Sequence, residues 1–212
     1  MKLICVTSIF IVSMWCSPTF ATSNNYENAE DFINSIPHAK LAESLISEGD
    51  LNGDKLEDFA IVVKTSPQEF ESYNQLHVLI RDKSGKYFPA VSSQESPVAG
   101  MGCCGPENIE IKLGSIFIQN NAKTACEIEA ATHQFKLYKN SWRLIGLKIF
   151  NYQLCEDPQL SEARDFNILT GKIIESRQLD DNTKKYTHIQ FTPRVFLLKN
   201  YDFFNGFGVP ET

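Results

Sequence analysis

A short run of oxygen-bearing side chains that leads directly into an apolar segment constrains the fold more than any other feature of the chain. The side chains occupy positions one, three, five and nine of the run, at Asp50, Asn52, Asp54 and Asp58. Alternate side chains of a tight loop can turn inward and converge, and the backbone carbonyl of Leu56 can join them. Ca²⁺ is a hard cation that takes roughly six to eight oxygen ligands. The sequence therefore predicts a calcium site formed by these five residues.

The residues that follow the loop exclude an EF-hand, which needs a glutamate at position twelve and then a helix. Position twelve is Ile61, and the segment from Phe59 to Val63 is β-branched and aromatic, which predicts a buried strand. Gly53 supplies a residue that tolerates positive φ in the turn. The alternative interpretation is a turn rich in Asp and Asn that joins two strands without an ion.

This loop and its strand resemble the calcium loop of VCBS and FG-GAP repeats, in which a D-x-[DN]-x-D-G-x-x-D motif runs into an apolar strand. The chain departs from that pattern at position six, where Lys55 replaces glycine. Over about residues 45–175 the order of motifs, including Leu76–Ile80, Ser141–Gly146 and Leu169–Lys172, looks like that of small exported bacterial VCBS-like proteins. The resemblance implies a propeller-like fold. Some members are similar to periplasmic lysozyme inhibitors and immunity proteins, which implies a lytic enzyme as partner.

The N-terminus has the pattern of a secretory signal. Lys2 precedes an apolar run that ends near Thr19-Phe20-Ala21, where small residues allow cleavage, so residues 1–21 are predicted to be removed. Residues 22–40 read as a polar leader with one short helix, and residues 41–212 as a single all-β domain. We expect a periplasmic or secreted protein without a transmembrane segment, because no later apolar run is long enough to span a bilayer.

Short alternating segments separated by turns predict a mainly β fold. Leu76, Val78 and Ile80 alternate with more polar neighbours, and this places His77 in a strand on a partly solvated face. Asn120–Thr124 reads as a polar loop between strands. We expect antiparallel β-hairpins in a propeller-like or sandwich/barrel arrangement, with the short helix at the N-terminus.

Four cysteines remain after removal of the signal, and an even number in an exported chain indicates disulfides. Cys103 and Cys104 are adjacent, and a bond between them would strain the intervening peptide. Each is therefore expected to pair with Cys126 or Cys155, in either order.

The charge and the motifs favour a binding protein over an enzyme. The net charge is −6, and it becomes −7 without Lys2 because residues 1–21 hold no acid, so nucleic acid is a poor partner. No nucleophile or metal-protease motif occurs. We expect a protein-binding module, with Ca²⁺ as cofactor and an inhibitor or immunity role; the alternative is a calcium-dependent hydrolase or a carbohydrate-binding protein.

The candidate contact surface is the glycine-rich stretch Val98–Glu107 with Met101 at its tip, and the alternative surface is the aromatic tail around Phe204.

Overall fold

The computed structural model describes residues 25–68, 71–97, 105–155, 161–178 and 183–202. Within these ranges the protein is mainly β, with two antiparallel sheets and one short α-helix. The predicted β class is confirmed, and the two sheets pack as a sandwich. In chain order the elements are α1 Ala29–Asn34, β1 Leu45–Gly49, β2 Asp58–Gln68, β3 Glu71–Arg81, β4 Tyr87–Ser92, β5 Ser96–Pro97, β6 Gly105–Lys112, β7 Ser115–Lys123, β8 Glu127–Tyr138, β9 Ser141–Gln153, β10 Ser161–Asn167, β11 Lys172–Gln178 and β12 Lys184–Gln190.

The smaller sheet has the order β1-β2-β3-β4, and β5 pairs with β3. Its second strand is buried on both faces, which explains why its sequence is continuously apolar rather than alternating. Ala60 and Val62 point into the core between the sheets, whereas Phe59, Ile61 and Val63 point outward into a second cluster. The predicted strand after the loop is therefore confirmed.

Helix α1 covers the outer face of the smaller sheet. Asn28 caps it by accepting a hydrogen bond from the N–H of Asp31 at 2.9 Å, and its buried side chains are Ala29, Phe32 and Ile33. The Phe32 ring lies 5.0 Å from the ring of His77, which is only 7% exposed. The expectation that His77 lies on a partly solvated face is wrong because the helix shields that face of the strand.

The larger sheet is a meander in which each strand pairs with its neighbours in sequence, in the order β12-β11-β10-β9-β8-β7-β6. The fully buried side chains on its inner face belong to the same core cluster as Leu76 and Val78 of the smaller sheet; they are Ile116, Ile118, Phe135 and Ile173. Each such side chain stabilises the fold by about 1.5–3 kcal/mol relative to an exposed position. The predicted polar loop at Asn120–Thr124 is wrong, because β7 continues to Lys123 and pairs with β8 along its length.

The two sheets meet along the side formed by β1 and β6. The backbone N–H of Ile111 donates to Oγ of Ser47 at 2.9 Å. Gly49 lies against the Ile111 side chain so closely that a Cβ at this position would come within 2.6 Å of Ile111 Cγ2. The absence of a side chain at Gly49 therefore lets the edge strands of the two sheets approach.

The larger sheet extends beyond the smaller one at β10–β12. On the same face as the core, these strands carry the ion pairs Arg164–Glu175, at 3.1 Å, and Arg177–Glu162, at 2.7 Å. Both arginine side chains are more than half exposed. Surface pairs of this kind contribute little to stability. This end of the sheet is thus open to solvent on the face that the smaller sheet covers elsewhere.

A disulfide joins Cys126 to Cys155. Glu127, next to Cys126, and Gln153, two residues before Cys155, are partners in the β8–β9 register, so the hairpin itself brings the two sulfurs together. The expectation that each of these cysteines pairs with Cys103 or Cys104 is wrong. Cys103 and Cys104 lie outside the described residues.

None of the helices in the described ranges is long and apolar enough to cross a membrane.

Candidate metal centre

The predicted calcium loop connects β1 to β2 and folds into a compact series of turns. Gly53 has φ +86°, and Lys55 has φ +71°. Lys55 therefore adopts the left-handed conformation that favours glycine, at the position where the resembling motif has glycine. Such a conformation costs about 1–2 kcal/mol for a residue with a Cβ. The presence of Lys55 instead of glycine thus preserves the turn geometry but strains the backbone.

Asp50 organises the first half of the loop. Its Oδ1 accepts hydrogen bonds from the backbone N–H groups of Gly53 at 2.6 Å and Asn52 at 3.2 Å, and its Oδ2 accepts from the N–H of Lys55 at 2.9 Å. These bonds, led by that from Gly53, hold the pKa of the Asp50 carboxyl below its usual range. Asp50 is therefore a stable carboxylate at neutral pH.

Asn52 and Asp54 form the next two turns in the same way, by accepting hydrogen bonds from backbone N–H groups. The backbone N–H of Asp54 donates to Oδ1 of Asn52 at 2.9 Å, and the N–H of Leu56 donates to Oδ1 of Asp54 at 2.8 Å. The Asn52 amide also donates to Oδ2 of Asp54 at 3.0 Å. Side chains that accept from the backbone two residues further on are typical of Asx turns. The loop is thus held by its own oxygen side chains.

Asp58 differs from the other acids of the loop because it is fully buried. Its Oδ2 accepts from the N–H of Leu51 and its Oδ1 from the N–H of Arg81 in β3, both at 2.9 Å. Burial raises the pKa of the Asp58 carboxyl, the two backbone bonds oppose that rise, and the charges of Asp54 and Asp50 add to it. Asp58 therefore ties the start of the loop to the neighbouring strand and lies within the field of the other two acids.

The donor set fits a hard cation in its chemistry, since every candidate ligand is an oxygen. The carboxylate oxygens of Asp54 and Asp58 each accept one hydrogen bond and keep a second lone pair, whereas Oδ1 of Asp50 already accepts two. Within the described ranges, however, no group of three or more His, Cys, Asp or Glu side chains is arranged as a metal site. Calcium binding at Asp50, Asn52, Asp54, Leu56 and Asp58 stays a prediction.

The candidate contact loop is only partly described. Met101, Cys103 and Cys104 lie outside the described residues, as does Phe204 of the aromatic tail. Glu107, at the end of the stretch, lies in β6 and accepts a hydrogen bond from the Asn121 amide at 2.6 Å. The described end of the stretch therefore belongs to the sheet rather than to a loop.

The sequence analysis missed a groove of about 480 Å³ on the outer face of the larger sheet, across β9 to β12. Three large side chains on this face are exposed: Phe150 at 38%, Ile174 at 42% and Tyr186 at 59%. The rings of Phe150 and Tyr152 are nearly parallel, with an interplanar angle of 8° and centroids 6.5 Å apart. The signal in the sequence was the spacing of Phe150 and Tyr152, which puts both rings on one face of a strand.

Comparison with known proteins gives no match: no family model, no curated protein and no solved structure resembles this chain at a significant level. The arguments about function therefore depend on the chemistry of the loop and of the groove. Fold alone would be a weak guide in any case, because one fold supports many activities.

Proposed function

We propose that this chain is an exported, calcium-binding β-sandwich domain that acts as a protein-binding module, with a cell-wall lytic enzyme as the candidate partner. The observation that supports it most is the folded state of the loop from Asp50 to Asp58. Its oxygen side chains are held in successive turns, and the left-handed conformation of Lys55 supplies the turn that the resembling calcium motif makes with glycine.

The electrostatics of the loop favour a cation. Burial is the main cause of the raised pKa of Asp58, and the charges of Asp54 and Asp50 add to the rise, so the three carboxylates repel one another in the absence of an ion. A bound Ca²⁺ would neutralise that repulsion and crosslink the two strands that flank the loop. The side chains of Asp50, Asn52, Asp54 and Asp58 and the carbonyl of Leu56 would hold it. In this proposal the ion is structural and no reaction passes through it.

Calorimetry with Ca²⁺ tests the ion site. We expect heat of binding, and a rise in the thermal midpoint that corresponds to about 2.7 kcal/mol at a hundredfold excess over Kd. Asp54→Ala should abolish both effects. Asp82→Ala is the matched control, because Asp82 forms a similar exposed turn by accepting from the N–H of Ser84 at 2.8 Å, outside the loop. A wild-type protein without binding heat or midpoint shift would refute the ion site.

The charge of the domain supports a basic partner. Without the predicted signal the net charge is −7, since Lys2 is lost and all 26 acidic residues remain. Complementary charge mainly raises the rate of association, and the effect weakens with salt. A basic lytic enzyme such as a lysozyme suits an acidic inhibitor in the compartment where its target polymer lies.

Inhibition assays test the partner. Purified residues 22–212 are added to basic and acidic lysozymes during lysis of cell-wall suspensions, with binding rates measured in parallel at low and high salt. We expect inhibition of a basic enzyme and an association rate that falls as salt rises. Binding that is insensitive to salt, or lysis that continues at full rate with every enzyme tested, contradicts the proposed role.

A further inference from the structure

We propose that the groove on the outer face of the larger sheet binds a neutral oligosaccharide, held by Phe150, Tyr152 and Tyr186. This site is separate from the loop at Asp50–Asp58 and does not depend on calcium. It goes beyond the protein-binding role, since it assigns a second ligand class to a different surface.

The strand register gives the groove its shape. Phe150 of β9 lies opposite Ala163 of β10, Ala163 lies opposite Ser176 of β11, and Ser176 lies opposite Tyr186 of β12. The row therefore places two small residues between two aromatic ones. Phe150 and Tyr186 are separated by three strand spacings, which is about 14 Å. The small residues form the floor and the rings form the walls.

The walls present flat apolar surface to solvent. Side chains of this size on a sheet of a water-facing domain are usually covered, and a cluster of them on one face marks a contact site. Phe150 and Tyr152 offer two nearly parallel rings side by side along β9. A pyranose ring has an apolar face of C–H groups that packs on an aromatic ring, while its hydroxyl groups remain at the edge for hydrogen bonds.

The polar lining suits a ligand without net charge. Ser161, Ser176 and Gln178 are neutral hydrogen-bonding groups at the groove. The charged residues at the groove are Lys148, Lys184, Glu162 and Asp165, two of each sign, so their charges offset one another. Lys148 and Asp165 are also cross-strand neighbours. The whole chain carries a net charge of −6, which repels polyanions. Hydroxyl-rich neutral sugars meet all of these conditions.

An extended peptide fits the groove less well. The backbone groups of the floor are engaged in the β9–β10–β11–β12 ladders, so a peptide that crosses the strands cannot pair its own N–H and C=O groups with them. Peptides usually bind sheets by adding a strand at an edge. Sugar hydroxyls, in contrast, need only side-chain partners, which the groove provides.

Titration with four neutral hexasaccharides tests the site: cellohexaose, chitohexaose, maltohexaose and laminarihexaose, each at up to about 10 mM because carbohydrate sites are often weak. We expect binding of at least one of them by calorimetry and by saturation-transfer NMR from aromatic protons. Tyr186→Ala and Phe150→Ala should each weaken it at least about tenfold. Thr187→Ala is the matched control, because Thr187 neighbours Tyr186 on β12 but points to the opposite face, and it should bind as wild type does.

A variant that fills the groove and measurements without bound calcium test the site further. Ser176→Phe keeps every wall residue and occupies the floor, so it should abolish binding while its circular dichroism and thermal midpoint stay those of the wild type. Binding should persist in EDTA and in Asp54→Ala, which separates this site from the ion site. Absence of binding to all four sugars would overturn the proposal, and so would affinities that are unchanged in Tyr186→Ala and Phe150→Ala.

Discussion

Replacing Asp58 by alanine tests whether this residue stabilises the fold without any ion. The carboxylate is fully buried and accepts two backbone hydrogen bonds, from Leu51 and Arg81. A buried donor left without an acceptor costs about 1–3 kcal/mol, and two are orphaned here. Removal of the buried charge returns part of this cost, because burial and the charges of Asp50 and Asp54 already disfavour the ionised form. The expected net loss in the free energy of unfolding is about 2–4 kcal/mol.

Asp58→Asn separates the charge from the hydrogen bonds. The amide keeps one acceptor oxygen for one of the two N–H groups, but its NH₂ faces the other as a second donor. We expect a loss between that of the alanine variant and zero. Asp54→Ala serves as the comparison, since Asp54 is exposed and its bond to Leu56 lies in solvent, so it should cost less than about 1 kcal/mol.

Urea denaturation in EDTA, followed by circular dichroism, measures these differences as changes in the midpoint at constant m-value. The same series is then repeated with Ca²⁺. The structural role of Asp58 predicts a loss that is present in EDTA already. The reasoning is refuted if Asp58→Ala unfolds like the wild type in EDTA and differs only when Ca²⁺ is added, because Asp58 would then act as an ion ligand alone.

Three further outcomes follow from the structure. Burial lowers the pKa of both His77 and His133 to about 4. Since the unfolded chain binds both protons near pH 6.5, stability should be full above about pH 6.5, and each histidine should lower it by up to about 1.4 kcal/mol per pH unit toward pH 4. His77→Gln should remove the His77 share of this slope in the urea-derived pH profile and leave that of His133. Replacing Cys126 and Cys155 together by serine removes a disulfide with a sequence separation of 29 residues, which restricts the unfolded chain. We expect the free energy of unfolding, measured with urea, to fall by about 3–4 kcal/mol. Unchanged stability would contradict this argument from the entropy of the unfolded chain. Gly49→Val should destabilise by about 1–3 kcal/mol through contact with Ile111, whereas a thermal midpoint equal to that of the wild type would show that the two edge strands can separate without cost.

The strands and turns were predictable where a single period governs the sequence. The alternation at Leu76–Ile80 is present, since Leu76 and Val78 point into the core between the sheets. The motif at Leu169–Lys172 lies at the turn between β10 and β11, where Gly171 adopts φ +70°. The loop at Asp50–Asp58 was recognisable because its side chains bond within nine residues of each other. Local interactions of this kind can be recognised from the spacing of residues in the sequence.

The errors occur where another segment, distant or in the next strand, decides the environment. His77 is buried by helix α1, which lies more than forty residues earlier in the chain. Asn120–Thr124 looks like a loop by composition, but pairing with β8 keeps the residues up to Lys123 extended. The groove arises from four strands in register, so no single segment contains its pattern.

The meander of the larger sheet has a consequence for the speed of folding. Every ladder from β6 to β12 joins strands that are consecutive in sequence, so each can form by closing a short loop. The slow steps should be those that bring distant segments together, such as the docking of β1 beside β6 and the packing of Tyr201 against Phe135. We therefore expect the β8–β9 hairpin to form early, and the N-terminal helix and the segment at Tyr201 to pack onto the sheets late. In a pulsed hydrogen-exchange experiment their amides should be the last to become protected.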